Sequence, residues 1–117
     1  MSNLEPPTFS IRVLPDAAAL VLDVEGEVDM LTAPSLLKAV DEVPEGTTCV
    51  VIDLAKVSFL DSSGLNTLVQ ARRALDARQA ALRVVVPVDG AIRRVFEITH
   101  LTEALTVVDT REEALPS

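Results

Sequence analysis

The chain has 117 residues, of which 49% belong to the hydrophobic set, so its length and composition suit one compact domain. Its 18 acidic and 10 basic residues give a formal net charge of -8 at pH 7, which opposes direct binding to a nucleic acid. The single cysteine, Cys49, excludes an internal disulfide framework, and no apolar stretch has the length of a membrane helix. We therefore expect a cytoplasmic protein without a nucleic-acid or membrane partner.

The chain opens with residues 1–8, where two prolines and few apolar groups predict a flexible N-terminal lead. The domain itself is expected at residues 9–115. Alternation of apolar and polar residues from Phe9 to Leu14 predicts a half-buried strand, which Pro15-Asp16 should end. A cleaner alternation from Leu20 to Val28 follows after a short break, which predicts an antiparallel hairpin.

Four carboxylates follow one another at alternate positions of the second strand, Asp23, Glu25, Glu27 and Asp29. Side chains two residues apart on one strand form a row of like charges and do not converge on a common point. We therefore expect a solvated acidic face there and no metal site.

The rest of the chain alternates between helical and strand-like patterns. In chain order the predicted elements are a helix that begins at the cap residue Thr32, an inner strand Cys49–Leu54, a helix through Leu65–Leu75, a strand Leu82–Val86, a short helix around Ile92–Phe96, a last strand Ala104–Val108 and a helical turn at Arg111–Leu115. Strands that alternate with helices after an opening hairpin predict an α/β domain with a mixed sheet.

The segment Asp61-Ser62-Ser63-Gly64 joins the inner strand to the next helix. Open α/β sheets place their functional sites at this end of a strand. Asp and Ser are also common helix caps, so capping alone is the simpler explanation. Capping does not require two hydroxyls beside an acid and a glycine, with polar Asn66 close behind.

Enzyme signatures are weak in this sequence. Ser35-Leu36-Leu37-Lys38 has the S-x-x-K spacing of some acylating enzymes, but the companion S-D-N and K-T-G elements are absent. His100 is the only histidine, and there is no G-x-S-x-G elbow for a serine nucleophile. The glycine-rich phosphate-binding loops are also missing. These observations favour a protein that is not an enzyme and that needs no cofactor.

Three segments, taken in order, resemble the STAS family, and specifically its single-domain anti-sigma factor antagonists. They are Gly26-Glu27-Val28-Asp29 with Thr32-Ala33, the stretch from Val51 through Phe59-Leu60-Asp61-Ser62-Ser63-Gly64-Leu65, and the stretch Ile92–Leu101. The resemblance implies a single STAS domain with a mixed four- to five-stranded sheet backed by helices. It further implies binding to an anti-sigma factor that is also a serine kinase, so that a sigma factor is released, and a phosphatase that resets the switch.

In that family the second serine of the central segment accepts phosphate, which corresponds to Ser63 here, with Ser62 as the second choice. By the same resemblance, the expected partner-binding residues are Asp29, Thr32, Asp61, Ser62, Gly64 and Asn66. His100 departs from the family pattern, which often has glycine at this position, so the local turn is expected to differ.

Two alternatives stay open at this stage. One is a STAS scaffold that is not phosphorylated, or a subunit of a larger sensory or transport assembly. The other, from a different class, is a nucleotide-binding or hydrolysing domain. The lack of a glycine-rich phosphate-binding loop in the sequence argues against this alternative.

Overall fold

The computed structural model describes residues 9–116. The predicted N-terminal lead, residues 1–8, lies outside the described residues. The elements in chain order are β1 (Phe9–Asp16), β2 (Ala19–Val28), α1 (Ala33–Asp41), β3 (Cys49–Leu60), α2 (Ser62–Asp76), β4 (Ala81–Val85), α3 (Arg93–Ile98), α4 (Leu101–Ala104), β5 (Val107–Val108) and α5 (Arg111–Ala114). No helix among the described residues is long and apolar enough to cross a lipid bilayer.

One five-stranded mixed sheet organises the domain, with the strand order β1-β2-β3-β4-β5. β1 pairs antiparallel with β2, and every later neighbour is parallel. The predicted α/β architecture with an opening hairpin is therefore confirmed. Because β2 to β5 all run in the same direction, the loops that follow them lie at one edge of the sheet.

The main hydrophobic core lies on the sheet face covered by α1, α2 and α3. Its fully buried members include Leu36 of α1, Leu68 of α2 and Phe96 of α3, packed on Leu22 and Ile52 of the central strands. A smaller cluster around Val21 and Val51 lies on the opposite face, where Ala114 of α5 covers it. This second covered face explains why residues 49–54 of β3 form an uninterrupted apolar run.

Several predicted boundaries are wrong. β1 continues through Pro15 to Asp16, because proline on an edge strand leaves no ladder hydrogen bond unpaired. β3 continues six residues beyond Leu54, with register shifts relative to β2 after Asp23 and after Gly26. The predicted last strand is helical at its start, where α4 ends at Ala104, and only Val107–Val108 pair with β4.

Candidate functional site

The central segment begins where β2 and β3 end side by side. Val28 is the register partner of Leu60, and the backbone amide of Asp61 donates to the carbonyl of Val28 at 3.3 Å. The two loops that leave these strands therefore start next to each other. This brings the predicted site residues Asp29 and Thr32 to the same sheet edge as Asp61, Ser62 and Ser63.

Asp61 is the N-cap of α2. Its Oδ1 accepts hydrogen bonds from the amides of Ser63 at 2.9 Å and Gly64 at 3.2 Å. The simpler capping explanation is therefore correct for Asp61, but it does not extend to the serine hydroxyls. Ser62 is exposed at the first position of α2, and Ser63 is half-buried one residue further along.

Hydrogen bonds between Asp29 and Thr32 stabilise the turn between β2 and α1. Asp29 Oδ1 accepts from the amides of Leu31 at 2.9 Å and Thr32 at 3.0 Å, and the Asp29 amide donates to Thr32 Oγ1 at 2.9 Å. These contacts, led by the amide of Thr32, hold the pKa of the Asp29 carboxyl below its usual value. Thr32 is the N-cap residue of α1, as predicted, but its hydroxyl does not cap the helix; it lies 2.8 Å from the carbonyl oxygen of Glu27.

A groove of about 290 Å³ opens between α1 and α2 next to this turn. Ser63 and Asn66, two of the predicted site residues, line its α2 wall. The complete lining is Met30, Ala33, Pro34, Leu37, Ser63, Asn66, Thr67 and Gln70. None of these side chains carries a charge, and the α1 wall is apolar while the α2 wall offers hydroxyls and amides.

Gly64 faces inward, away from the groove. A Cβ at this position would lie 2.7 Å from Leu60 Cδ1 and 2.9 Å from Val28 Cγ1, closer than real Cβ contacts occur. The absence of a side chain lets the first turn of α2 pack directly on the ends of β2 and β3. Gly64 therefore fixes the distance between Ser63 and the sheet.

The expected solvated acidic face is wrong for its first member, Asp23, which is only 3% exposed. Asp23 Oδ2 lies 2.9 Å from Arg12 Nη2 and 3.3 Å from Lys56 Nζ, and Oδ1 forms an ion pair with Arg111 Nη2 at 3.3 Å. Burial raises the pKa of Asp23, but the hydrogen bonds from Arg12 and Lys56 and the attraction of Lys56 and Arg111 outweigh it, so the pKa lies below its usual value. The charge is compensated from three sides.

Arg111 also joins a second buried carboxylate, Asp53 of β3, with Nε 2.9 Å from Asp53 Oδ2. This hydrogen bond is the main cause of the raised pKa of Arg111. Asp23, Asp53 and Arg111 thus form a partly buried ion-pair network between β2, β3 and α5. It lies on the sheet face opposite α1 and α2, away from the groove.

His100 adopts a left-handed backbone, with φ of 60°, immediately before α4. The turn therefore has the conformation that a glycine would adopt, and the expected difference in this turn is wrong. Histidine is among the residues that enter this region more often than most.

Similarity to known proteins extends over nearly the whole chain. The family model for the STAS domain matches residues 8–114. The anti-sigma-B factor antagonist of Listeria monocytogenes is 37% identical over 92 residues, which cover 77% of this chain and 79% of that protein. The anti-sigma-F factor antagonist RsfB of Mycobacterium tuberculosis is 31% identical over 111 residues, or 94% and 89% of the two chains. The crystal structure of an anti-sigma factor antagonist from Mycobacterium paratuberculosis matches with a TM-score of 0.78 at 31% identity and 95% coverage of both chains.

Proposed function

The chain belongs to the STAS domain family, and we propose that it is a cytoplasmic anti-sigma factor antagonist that binds an anti-sigma factor with serine-kinase activity and thereby releases a sigma factor. Phosphorylation of Ser63 switches this binding off, and a phosphatase restores it. The observation that carries the proposal is the half-buried Ser63 side chain in an uncharged groove between α1 and α2. In this role the chain acts by binding and performs no catalysis of its own.

In the unphosphorylated state, the partner covers a small neutral hydroxyl. Ser62 and Asn66 are exposed on either side of Ser63 and are available to the partner. The remaining predicted site residues are buried or half-buried and support the backbone of this surface: Asp29, Thr32, Asp61 and Gly64. A groove without charged side chains can be covered without the cost of removing an ion from water. Binding of this kind needs the complementary shape and hydrogen bonds that the neutral site offers.

A phosphate on Ser63 changes this balance because it adds about -1.5 to -2 charges and three acceptor oxygens. Two amides in the first turn of α2, those of Ser63 and Gly64, already donate to Asp61. No lysine or arginine is among the described residues that line the groove, and the Asp61 carboxylate, 2.9 Å from the Ser63 amide, adds repulsion. The phosphate therefore depends on water for its stabilisation, and a partner that covers it must remove that water. Folding is preserved while binding is lost.

The test uses each anti-sigma factor encoded in the same genome, purified and titrated calorimetrically with the chain. We expect one of them to bind the wild type and the Ser63→Ala variant about equally, Ser63→Asp more weakly, and the protein phosphorylated at Ser63 most weakly. Ser62→Ala is the matched control, which the kinase still phosphorylates. Tight binding by the protein fully phosphorylated at Ser63 would contradict the switch, and no binding by the wild type would contradict the function itself.

A further inference from the structure

The turn between β2 and α1 exposes two large apolar side chains in succession. Met30 is 72% exposed and Leu31 is 83% exposed, the largest values among the exposed large hydrophobic residues of the described chain. Single apolar residues on a surface are common, but two consecutive ones beside a binding groove indicate an interaction surface. Their exposure to solvent does not contribute to the stability of the domain.

Hydrogen bonds to both the side chain and the carbonyl of Asp29 stabilise this turn. Asp29 accepts hydrogen bonds from the amides of both Leu31 and Thr32 through its side chain, and its carbonyl accepts from the amide of Ala33 at 2.8 Å. A partner that binds Met30 and Leu31 therefore does not have to order the backbone beneath them. Such preorganisation lowers the entropic cost of association.

The surroundings of the pair define the partner's chemistry. Met30 lines the same groove as Ser63, so the exposed pair is continuous with the proposed binding site. Asp29 immediately precedes the pair, and the β2-α1 turn and the first turn of α1, from Asp29 to Leu37, contain no lysine or arginine. The pair is an apolar projection next to the Asp29 carboxylate, on a protein with a formal net charge of -8.

We propose that Met30 and Leu31 are apolar anchors that enter a pocket on the anti-sigma factor, that this pocket is bordered by basic side chains, and that the pair helps to determine which anti-sigma factor the chain recognises. This inference rests on the proposed function. It adds an attachment point that is independent of phosphorylation, because Ser63 is the switch while the pair supplies affinity. A few well-packed residues usually carry most of the binding energy of an interface, and burying a large apolar side chain contributes to that energy.

The test compares Met30→Ser and Leu31→Ser with the control Val13→Ser. Val13 is also an exposed apolar residue, at 55%, but it pairs with Leu22, about 20 Å along β2 from Val28. Each variant is titrated with the anti-sigma factor that binds the wild type, and thermal melts confirm that it is folded. We expect Met30→Ser and Leu31→Ser each to weaken binding ~10-fold or more, while Val13→Ser leaves it within about twofold.

The rate of Ser63 phosphorylation at saturating kinase should stay near the wild-type value in both anchor variants, because the anchors affect affinity and not the phosphate acceptor. Association of the wild type should slow as salt is added, as expected for a basic border on the partner. If both anchor variants bind as tightly as the wild type, the inference is overturned and the proposed function is not affected. An association rate independent of salt would overturn the basic border. Absence of any wild-type binding would overturn the proposed function and the inference with it.

Discussion

Replacement of Gly64 by valine is expected to destabilise the protein by overfilling the contact between α2 and the ends of β2 and β3. Even the first added carbon would lie 2.7 Å from Leu60 Cδ1 and 2.9 Å from Val28 Cγ1. Val28 is fully buried and Leu60 is 4% exposed, so neither neighbour can rotate out into solvent. The first turn of α2 must move away from the sheet instead.

Overpacking of a core contact typically costs about 1 to 3 kcal/mol of the free energy of unfolding. Alanine at this position would regain up to about 1 kcal/mol of helix propensity over glycine. We therefore expect Gly64→Ala to cost ~0 to 2 kcal/mol. Valine adds two more methyl groups and has a poorer helix propensity, so Gly64→Val should cost ~2 to 4 kcal/mol.

Thermal melts and urea titrations measure this cost, and calorimetric titration with the anti-sigma factor measures its effect on the site. The control is Ser62→Ala, an exposed position two residues earlier, which should change stability by no more than about 0.5 kcal/mol. Partner affinity should fall more in Gly64→Val than in Ser62→Ala, because the displaced turn carries Ser63 with it. A Gly64→Val protein that melts and binds like Ser62→Ala would refute the packing argument.

Two further predictions concern residues outside the groove. Asp23→Asn should lower the free energy of unfolding by about 1 to 3 kcal/mol at pH 7, because three cations lose their buried partner. The pKa of Asp23 is depressed in the folded state, so the stabilisation from its ionised form is present above about pH 4 and is lost as pH falls through the lower folded pKa. Urea titrations from neutral to acidic pH should show the stability difference between the wild type and Asp23→Asn shrinking in that range. A difference that stays constant with pH would disprove this assignment. His100→Gly should raise the free energy of unfolding by up to about 1 kcal/mol, because glycine adopts the left-handed backbone without strain, and unchanged partner binding in the same variant would confirm that no chemistry depends on the histidine.

The fold was largely predictable because its strongest signals are local. Alternation through β1 and β2 predicted the hairpin, and the apolar run Cys49–Leu54 predicted a strand covered on both faces. Elements of one turn carry a much weaker signal. α4, at Leu101–Ala104, lies in a stretch that was read in part as a strand, because four residues are too few for a helical period to show.

The site was predictable only where a motif marked it. The central segment indicated Ser63 and Asn66, which line the groove, and Asp61, which caps α2, whereas Met30 lies in a turn, where no periodicity indicates which side chain meets the groove. The alternation along β2 shows which face of the sheet Asp23 occupies, but it does not show whether another element covers that face. For this reason the sequence predicted a solvated position for Asp23. The cation that buries it, Arg111, is far away in the sequence, and the α5 segment that carries it gives only a weak helical pattern.

The partly buried ion-pair network of Asp23, Asp53 and Arg111 also bears on the order of folding events. Arg111 and Asp53 are 58 positions apart in the chain, and Arg111 and Asp23 are separated by more. Contacts that close such long loops cost more chain entropy than local contacts, so we expect them to form after the hairpin and the β3-α2 unit have assembled. Loss of these ion pairs should then leave the refolding rate almost unchanged and accelerate unfolding. We therefore expect Arg111 to affect the lifetime of the folded protein more than the rate of folding.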